Sequence, residues 1–393
     1  MSNGPSQGAS PIRLLQVTAF VSTLDRFAMP PMLVAIAYDL GVPLSDIVHA
    51  AGAYFLVYGL SQPLWGMVSD RVGRVRTMRW TLLLAGLFAI ASALSWSPVA
   101  LAVSRALAGG LFGAAYPSSL IYLGDTVPAS VRQRSIASLM VGVALGTALA
   151  SVGAGVLAEL WTWRAAFVIT GSASVLLAWL LHRLPEPALE RPTGSLLAPV
   201  RRIGRSRMTL LVLLFAFTEG AVLLGVLTLL PPAVESAGST AAVAGAVTGV
   251  YGVSVFASSQ LVGRLSQHWH PSRLIALGGS AAVLASTLLA VSQRPAMAVA
   301  VAALLGLAWT AMHSSLQTWA TEVLPGARAT TVSFFAGSLF VGSALGAVLV
   351  AGLAEEGRYS LVFAIAAALA VPLALGAGAA RRTWVRPPDE RAS

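Results

Sequence analysis

The sequence predicts an all-α polytopic membrane protein of twelve transmembrane helices arranged as two six-helix pseudo-repeats, and three observations carry that prediction. The 393 residues are 56% hydrophobic and only 10% charged, with a mean hydropathy of +0.79, far more apolar than a soluble chain of this length. The apolar residues run unbroken for about 20 positions at a time, the length a helix needs to cross hydrocarbon, and not in the alternating tens of a barrel. Backbone polar groups in lipid must be satisfied within the segment, so these runs read as helices. The third observation is self-similarity at half the chain length. Gly52-Ala53-Tyr54 is matched by Gly249-Val250-Tyr251, Gly66 to Ser69 by Gly263 to Ser266, Ser118-Ser119-Leu120 by Ser314-Ser315-Leu316, and Ala154-Gly155 by Ala351-Gly352. Six spans per copy let both copies insert with one topology.

In chain order, the first span is expected at 13–37, with Asp25 and Arg26 near its middle and Pro30-Pro31 set to bend its later half. Charges at its centre exclude a cleavable signal peptide. The second, 47–69, carries Tyr54 and Tyr58 one turn apart, and the third, 77–95, follows a basic loop. The fourth, 98–123, holds Arg105, and the fifth, 136–158, holds Gly142, Gly146 and Gly153, small residues that let helices approach closely. The sixth, 164–184, closes the first half. After a linker rich in proline and arginine, the seventh, 208–231, carries Glu219 at the depth Asp25 has in the first. Spans at 240–264, 273–292, 296–321, 332–353 and 359–379 complete the second half, the tenth with Trp309, His313 and Gln317 on one face. The expected units are thus a 1–12 tail, a 13–184 half, a 185–207 linker, a 208–380 half and a 381–393 tail.

Every one of the 25 basic positions is arginine, and cysteine is absent. Without lysine there is no Walker phosphate loop and no Schiff-base chemistry. Without cysteine there is no CxxC redox or thiolate zinc site, and neither metal nor other cofactor is expected. The net charge of +10 follows topology and does not point to a nucleic-acid partner. Arg13, the Arg71 to Arg79 cluster, Arg132, Arg134, Arg183, Arg191, Arg201 to Arg207, Arg264, Arg273, Arg328, Arg381, Arg382, Arg386 and Arg391 fall on one side. Only Arg164, Arg294 and Arg358 fall on the other, with Asp39, Asp46, Glu159, Glu235, Glu355 and Glu356. The positive-inside bias therefore places both termini in the cytoplasm, in the inner (plasma) membrane of a bacterium.

Between the second and third spans stands Gly66-Met67-Val68-Ser69-Asp70-Arg71-Val72-Gly73-Arg74. It resembles the G-x-x-x-D-R-x-G-R loop signature of the major facilitator superfamily, and the span-four motif around Arg105, with Gly109 and Gly113 following, looks like that family's as well. The resemblance covers essentially the whole chain. It implies the twelve-helix fold, secondary transport without enzymatic activity, and a conformational latch of Gly66, Asp70, Arg71, Gly73 and Arg74 in which Asp125 pairs with Arg74. The copy of this loop in the second half is degenerate, with Gln267 and His268 where the acid and arginine would stand. Span five also departs from the family's antiporter motif, since Thr147 stands where proline would be.

A charge at the middle of the bilayer is costly and therefore functional or paired. Asp25, Glu219 and Arg105 are the expected proton-coupling groups, with a fixed Asp25–Arg105 structural pair, or an Arg105 reaching the nearer interface, as the alternatives. Arg26, Tyr54, Tyr58, Trp309, His313 and Gln317 are the expected substrate contacts, although each ring also suits plain packing, and His313 could be a structural hydrogen-bond partner. The leading expectation is proton-coupled export of a small amphipathic compound by alternating access. The alternative is proton-coupled uptake of an organic anion, because Leu24-Asp25-Arg26 also resembles span one of organic-anion symporters of the same superfamily. A membrane sensor without transport is the remote third. The expected partners are a small-molecule substrate, protons and the lipid bilayer, and the chain is expected to act as a monomer.

Overall fold

A computed structural model describes residues 9–187 and 197–385; the expected cytoplasmic arginines Arg191, Arg386 and Arg391 lie outside the described residues. Among the described residues the chain is helical without strands, so the all-α class is borne out. Ten helical stretches among the described residues are long and apolar enough to cross a membrane: α1 (Pro11–Leu40), α4 (Pro98–Thr126), α5 (Ser130–Leu160), α6 (Trp163–Arg183), α7 (Arg207–Ser236), α8 (Ala241–Leu265), α9 (Pro271–Val291), α10 (Pro295–Glu322), α11 (Pro325–Val348) and α12 (Tyr359–Thr383). Two more, α2 (Leu44–Val72) and α3 (Arg74–Ala93), are long enough but less apolar. The reason lies in what they face. Helix α2 packs between α4 and α11 and buries Ser61 and Gln62, while α3 begins with the Arg74, Arg76 and Arg79 cluster.

Successive helices reverse direction, so the described chain starts and finishes at one end of the bundle, hereafter the terminal end, opposite the far end. Outward faces carry exposed leucines such as Leu87, Leu145, Leu214 and Leu375, as lipid contact requires. Exposed Trp80 and Trp179 near the terminal end and Trp96 and Trp161 at the far end mark the two interfaces.

Several helices break where the sequence forces them to. Helix α1 passes through a tight turn at Pro30–Met32 and resumes over Leu33–Leu40, stopping at Gly41 with φ +63°. Helix α4 is interrupted at Gly113 and Ala114, where Trp65 Nε1 donates to Gly110 O at 2.5 Å and Gln62 Nε2 to Gly113 O at 3.1 Å. Helices α7 and α10 each contain a π-helical turn, Gly220–Gly225 and Trp309–His313, directly at the ionisable residues Glu219 and His313. The linker adds a helix, Leu197–Arg205, strongly amphipathic, with Ile203 buried and Arg202 donating to Gly326 O at 3.2 Å.

The halves meet along α2 with α11 and α5 with α8. A Cβ on Gly59 of α2 would lie 2.7 Å from Gly337 O of α11, so the two backbones touch. Close approach also explains Gly142 and Gly146, where an added Cβ would meet Gln16 O at 2.5 Å and Phe20 O at 2.7 Å of α1. Gly153 meets nothing within 4 Å, so the packing read for it from the sequence does not hold. Accordingly, Gly146→Ala is expected to cost about 1 to 3 kcal/mol by overpacking and to lower the melting temperature of the detergent-solubilised protein, while Gly153→Ala leaves it unchanged. Equal melting of the two variants would contradict this packing.

Candidate functional site

The polar groups at mid-membrane fall into three sets, each built on the helix breaks described above. In the first half, Asp25 and Arg105 are both fully buried, and Arg105 holds the carboxylate through both terminal nitrogens, Nη2 to Oδ2 at 2.9 Å and Nη1 to Oδ1 at 3.2 Å. Arg105 Nη2 also donates to the Asp25 carbonyl at 3.2 Å, and Thr170 of α6 donates its hydroxyl to Asp25 Oδ1 at 2.9 Å. The guanidinium lies between the rings of Tyr54 and Phe167, 4.4 and 4.5 Å from their centroids. A buried ion pair survives desolvation only with such supplementary hydrogen bonds and faces. Arg105 does not reach toward an interface.

One residue along α1, about 100° around the helix, Arg26 faces the seam between the halves. Its Nη2 donates to the Tyr58 hydroxyl at 2.7 Å, and the guanidinium sits 4.4 Å from the Tyr58 ring and 5.3 Å from the ring of Phe340 of α11. Phe340 stacks at 6.2 Å on Phe55 and meets Tyr58 edge-on at 4.5 Å, so the arginine is set in an aromatic wall made by both halves. Among the described residues no carboxylate comes within 4.0 Å of Arg26, and its Nε is buried without a partner. Tyr54, stacked at 6.1 Å on Tyr58, faces Arg105 instead.

In the second half, Glu219 of α7 is fully buried, with Oε2 at 3.2 Å from Nδ1 of His313 on α10 and Oε1 without a partner. The His313 ring stacks on Trp309 at 3.9 Å and lies 5.6 Å from Phe335. Glu219 directly precedes the π turn of α7 and His313 ends that of α10. Gln317, one turn further on, is exposed toward the terminal end.

At the terminal end Arg74 gathers three partners: Asp70, with which it is in direct contact, Ser69 Oγ at 3.2 Å, and Asp125 Oδ2 of α4 at 3.3 Å. Arg71 is exposed, and a Cβ on Gly66 would find only Ser333 Oγ, at 3.9 Å. Gly73 takes φ +114°, and the Glu186 carboxyl group occupies the space where its Cβ would stand, 2.7 Å from the nearest atom. Glu186 accepts from the backbone N–H groups of Val75 at 3.1 Å and Arg76 at 2.9 Å, capping α3. The partners of Arg74 all belong to the first half, so in this state the cluster ties α2, α3 and α4 together. Sequence reasoning missed Glu186, Thr170, Phe167 and the Arg381 to Glu322 pair at 2.7 Å, which joins α12 to α10. A signal for the last was available, since Asp125-Thr126-Val127-Pro128 recurs as Glu322-Val323-Leu324-Pro325.

The profile of the Major Facilitator Superfamily matches residues 15–338 and, overlapping, 225–393. Similar stretches occur in the putative metabolite transport protein YyaJ of Bacillus subtilis (29% identity over 175 residues, 44% of this chain and 38% of that protein). They occur also in the 4-hydroxybenzoate transporter PcaK of Pseudomonas aeruginosa (30% over 180 residues, 45% and 40%) and in multidrug resistance protein D of Escherichia coli (27% over 146 residues, 35% and 35%). These matches span about two fifths of the length of the relatives. Among solved structures, a bacterial homolog of the human lysosomal transporter Spinster, inward-facing and unoccupied, superposes with a TM-score of 0.80 at 18% identity, covering 98% of this chain and 100% of that one. The loop signature, the helix bundle and the profile agree: this chain, a multi-pass membrane protein, belongs to the Major Facilitator Superfamily.

Proposed function

We propose that the protein is a secondary active transporter that carries a small organic anion together with protons, seating the carboxylate on Arg26. The observation behind this is the unequal fate of the two midplane arginines. Arg105 is cancelled by Asp25, whereas Arg26 is a permanent cation with a tyrosine hydroxyl as its polar partner, placed where the halves meet. A guanidinium presents two parallel donors that fit a carboxylate, and the Tyr58 and Phe340 rings beside it suit an aromatic or apolar body. The similarity to a 4-hydroxybenzoate transporter supports an aromatic acid as the first substrate to try. This favours the uptake reading over export of an amphipathic compound. The export reading keeps one foothold, the unpartnered Oε1 of Glu219, which would receive a cationic amine.

Protons are assigned to the Glu219–His313 pair, because a carboxylate and an imidazole 3.2 Å apart can each carry or release a proton, whereas the carboxylate of Asp25 is held by a guanidinium and a threonine hydroxyl. An anion arriving at Arg26 and a proton arriving at Glu219 together leave the core's charge unchanged. A charge-balanced core can rock between states without carrying an uncompensated charge through low dielectric. In the bacterial inner membrane with cytoplasmic termini, the terminal end would face the cytoplasm, and the chain would act as a monomer.

Arg26→Ala should lower apparent affinity for labelled 4-hydroxybenzoate about 10- to 100-fold, as loss of a charge-assisted contact does, with partial recovery in Arg26→Lys. Uptake equal to wild type would dismiss the anion site, and active extrusion of a cationic dye dependent on Glu219 would replace it with export. Glu219→Gln should keep exchange of substrate across proteoliposome membranes yet lose accumulation driven by a proton gradient; retained gradient-driven accumulation contradicts the assignment. Asp25→Asn leaves Arg105 buried and unpaired at a cost of about 3 to 5 kcal/mol. It should therefore deplete folded protein on size-exclusion chromatography, with recovery in Asp25→Asn/Arg105→Gln, and a wild-type yield in the single variant would argue against a structural pair.

A further inference from the structure

Two carboxylates away from the midplane make matching contacts across the halves at the far end. Glu159, at the end of α5, accepts the backbone N–H of Ala242 at 2.8 Å in the first turn of α8. Glu355, just beyond α11, accepts the backbone N–H of Ser45 at 2.8 Å in the first turn of α2. The register that aligns Gly52 with Gly249 also aligns Ser45 with Ala242, so the two carboxylates take the same N–H in the two copies. The register that aligns Ala154-Gly155 with Ala351-Gly352 puts Glu159 opposite Glu356, the neighbour of Glu355.

We propose that Glu159 and Glu355 are the paired gate residues of the transport cycle, each half capping an interface helix of the other and so holding the far end shut. The first N–H groups of a helix have no partner within it and lie at the positive end of its dipole, which makes a carboxylate their best acceptor. The Ser45 backbone N–H, and after it the Ser45 hydroxyl, hold the Glu355 carboxyl below the usual carboxylate range, so the contact favours the charged form. Close helix approach brings the caps within reach. A Cβ on Gly155 would be 2.4 Å from Ala241 O, one on Gly245 2.3 Å from Ser151 O, and one on Gly52 2.4 Å from Val348 Cγ2. Toward the terminal end the packing is looser: a Cβ on Gly66 of α2 would meet only Ser333 Oγ, at 3.9 Å, and one on Gly263 of α8 nothing within 4 Å. Both carboxylates are exposed at the rim, so the caps can be exchanged for water when the far end opens. Rocking the halves breaks both caps together, and their combined strength sets how much far-open protein exists.

The chain has no cysteine, so labels can be placed without background. Spin labels at Trp96→Cys and Val291→Cys, exposed far-end positions of opposite halves (80% and 75% exposed), report the opening as a distance distribution. Glu159→Ala and Glu355→Ala should each raise the far-open to far-closed ratio about fivefold, and the double variant about 25-fold. A distribution in the double variant identical to that of the parent overturns the proposal. A second measurement serves if a variant folds poorly: the Ser45→Cys/Glu355→Cys pair is crosslinked by a short bifunctional thiol reagent. Its rate follows the far-closed fraction and should fall, by up to about fivefold, when Glu159→Ala is added on the other side of the gate, and an unchanged rate under conditions where the far-open form is populated overturns the coupling of the two caps.

Discussion

Charge placed in hydrocarbon has to be cancelled where it stands or kept for use, and this constraint organises the middle of the protein. Asp25 and Arg105 satisfy it completely. The pair is bidentate, supported by Thr170 and the Asp25 carbonyl and covered by two rings, so it contributes rigidity to the first half. Arg26, next to Asp25 in the chain, is left to the seam, because consecutive residues point about 100° apart around α1 and Asp25 is the one turned toward Arg105 of α4.

The two halves share a fold but divide the work. In the first, the buried carboxylate faces a guanidinium; in the second, Glu219 faces the imidazole of His313. Tyr54 and Tyr251 occupy matching places in the two copies and are both buried, so the repeat preserved the packing while the charged partners diverged. The π turns of α7 and α10 fit this division, since wide turns recur where a helix re-aims a side chain for function.

Carboxylates at helix N-termini recur at both ends of the bundle. Glu186 caps α3 within the first half, while Glu159 and Glu355 cap α8 and α2 across the seam. The chemistry is the same, and its consequence depends on whether donor and acceptor belong to one rigid half or to two. Glycine supplies the second ingredient: where α2 meets α11 and α5 meets α8, backbones approach without side chains between them, so small rotations make or break many contacts together.

Fold and family were legible in the sequence because both are written in local patterns. Span length, arginine distribution and the Gly66 to Arg74 loop each follow from residues near one another in the chain. The depth of Asp25 and Glu219 in equivalent helices was legible for the same reason. Their partners were not. Arg105 and Thr170 lie 80 and 145 residues from Asp25, and His313 lies 94 from Glu219, so only helix packing could choose them. Periodicity put Tyr54 and Tyr58 on one face without revealing that one would brace Arg105 and the other receive Arg26. Small residues in α5 read alike, yet Gly142 and Gly146 meet a neighbouring backbone while Gly153 meets nothing, a distinction that belongs to the crossing of α1 and α5 alone. The sequence by itself thus determined which residues enter the membrane and how deep. The tertiary structure decided which charges cancel and which remain free, because that depends on the rotation of each helix against neighbours distant in the chain.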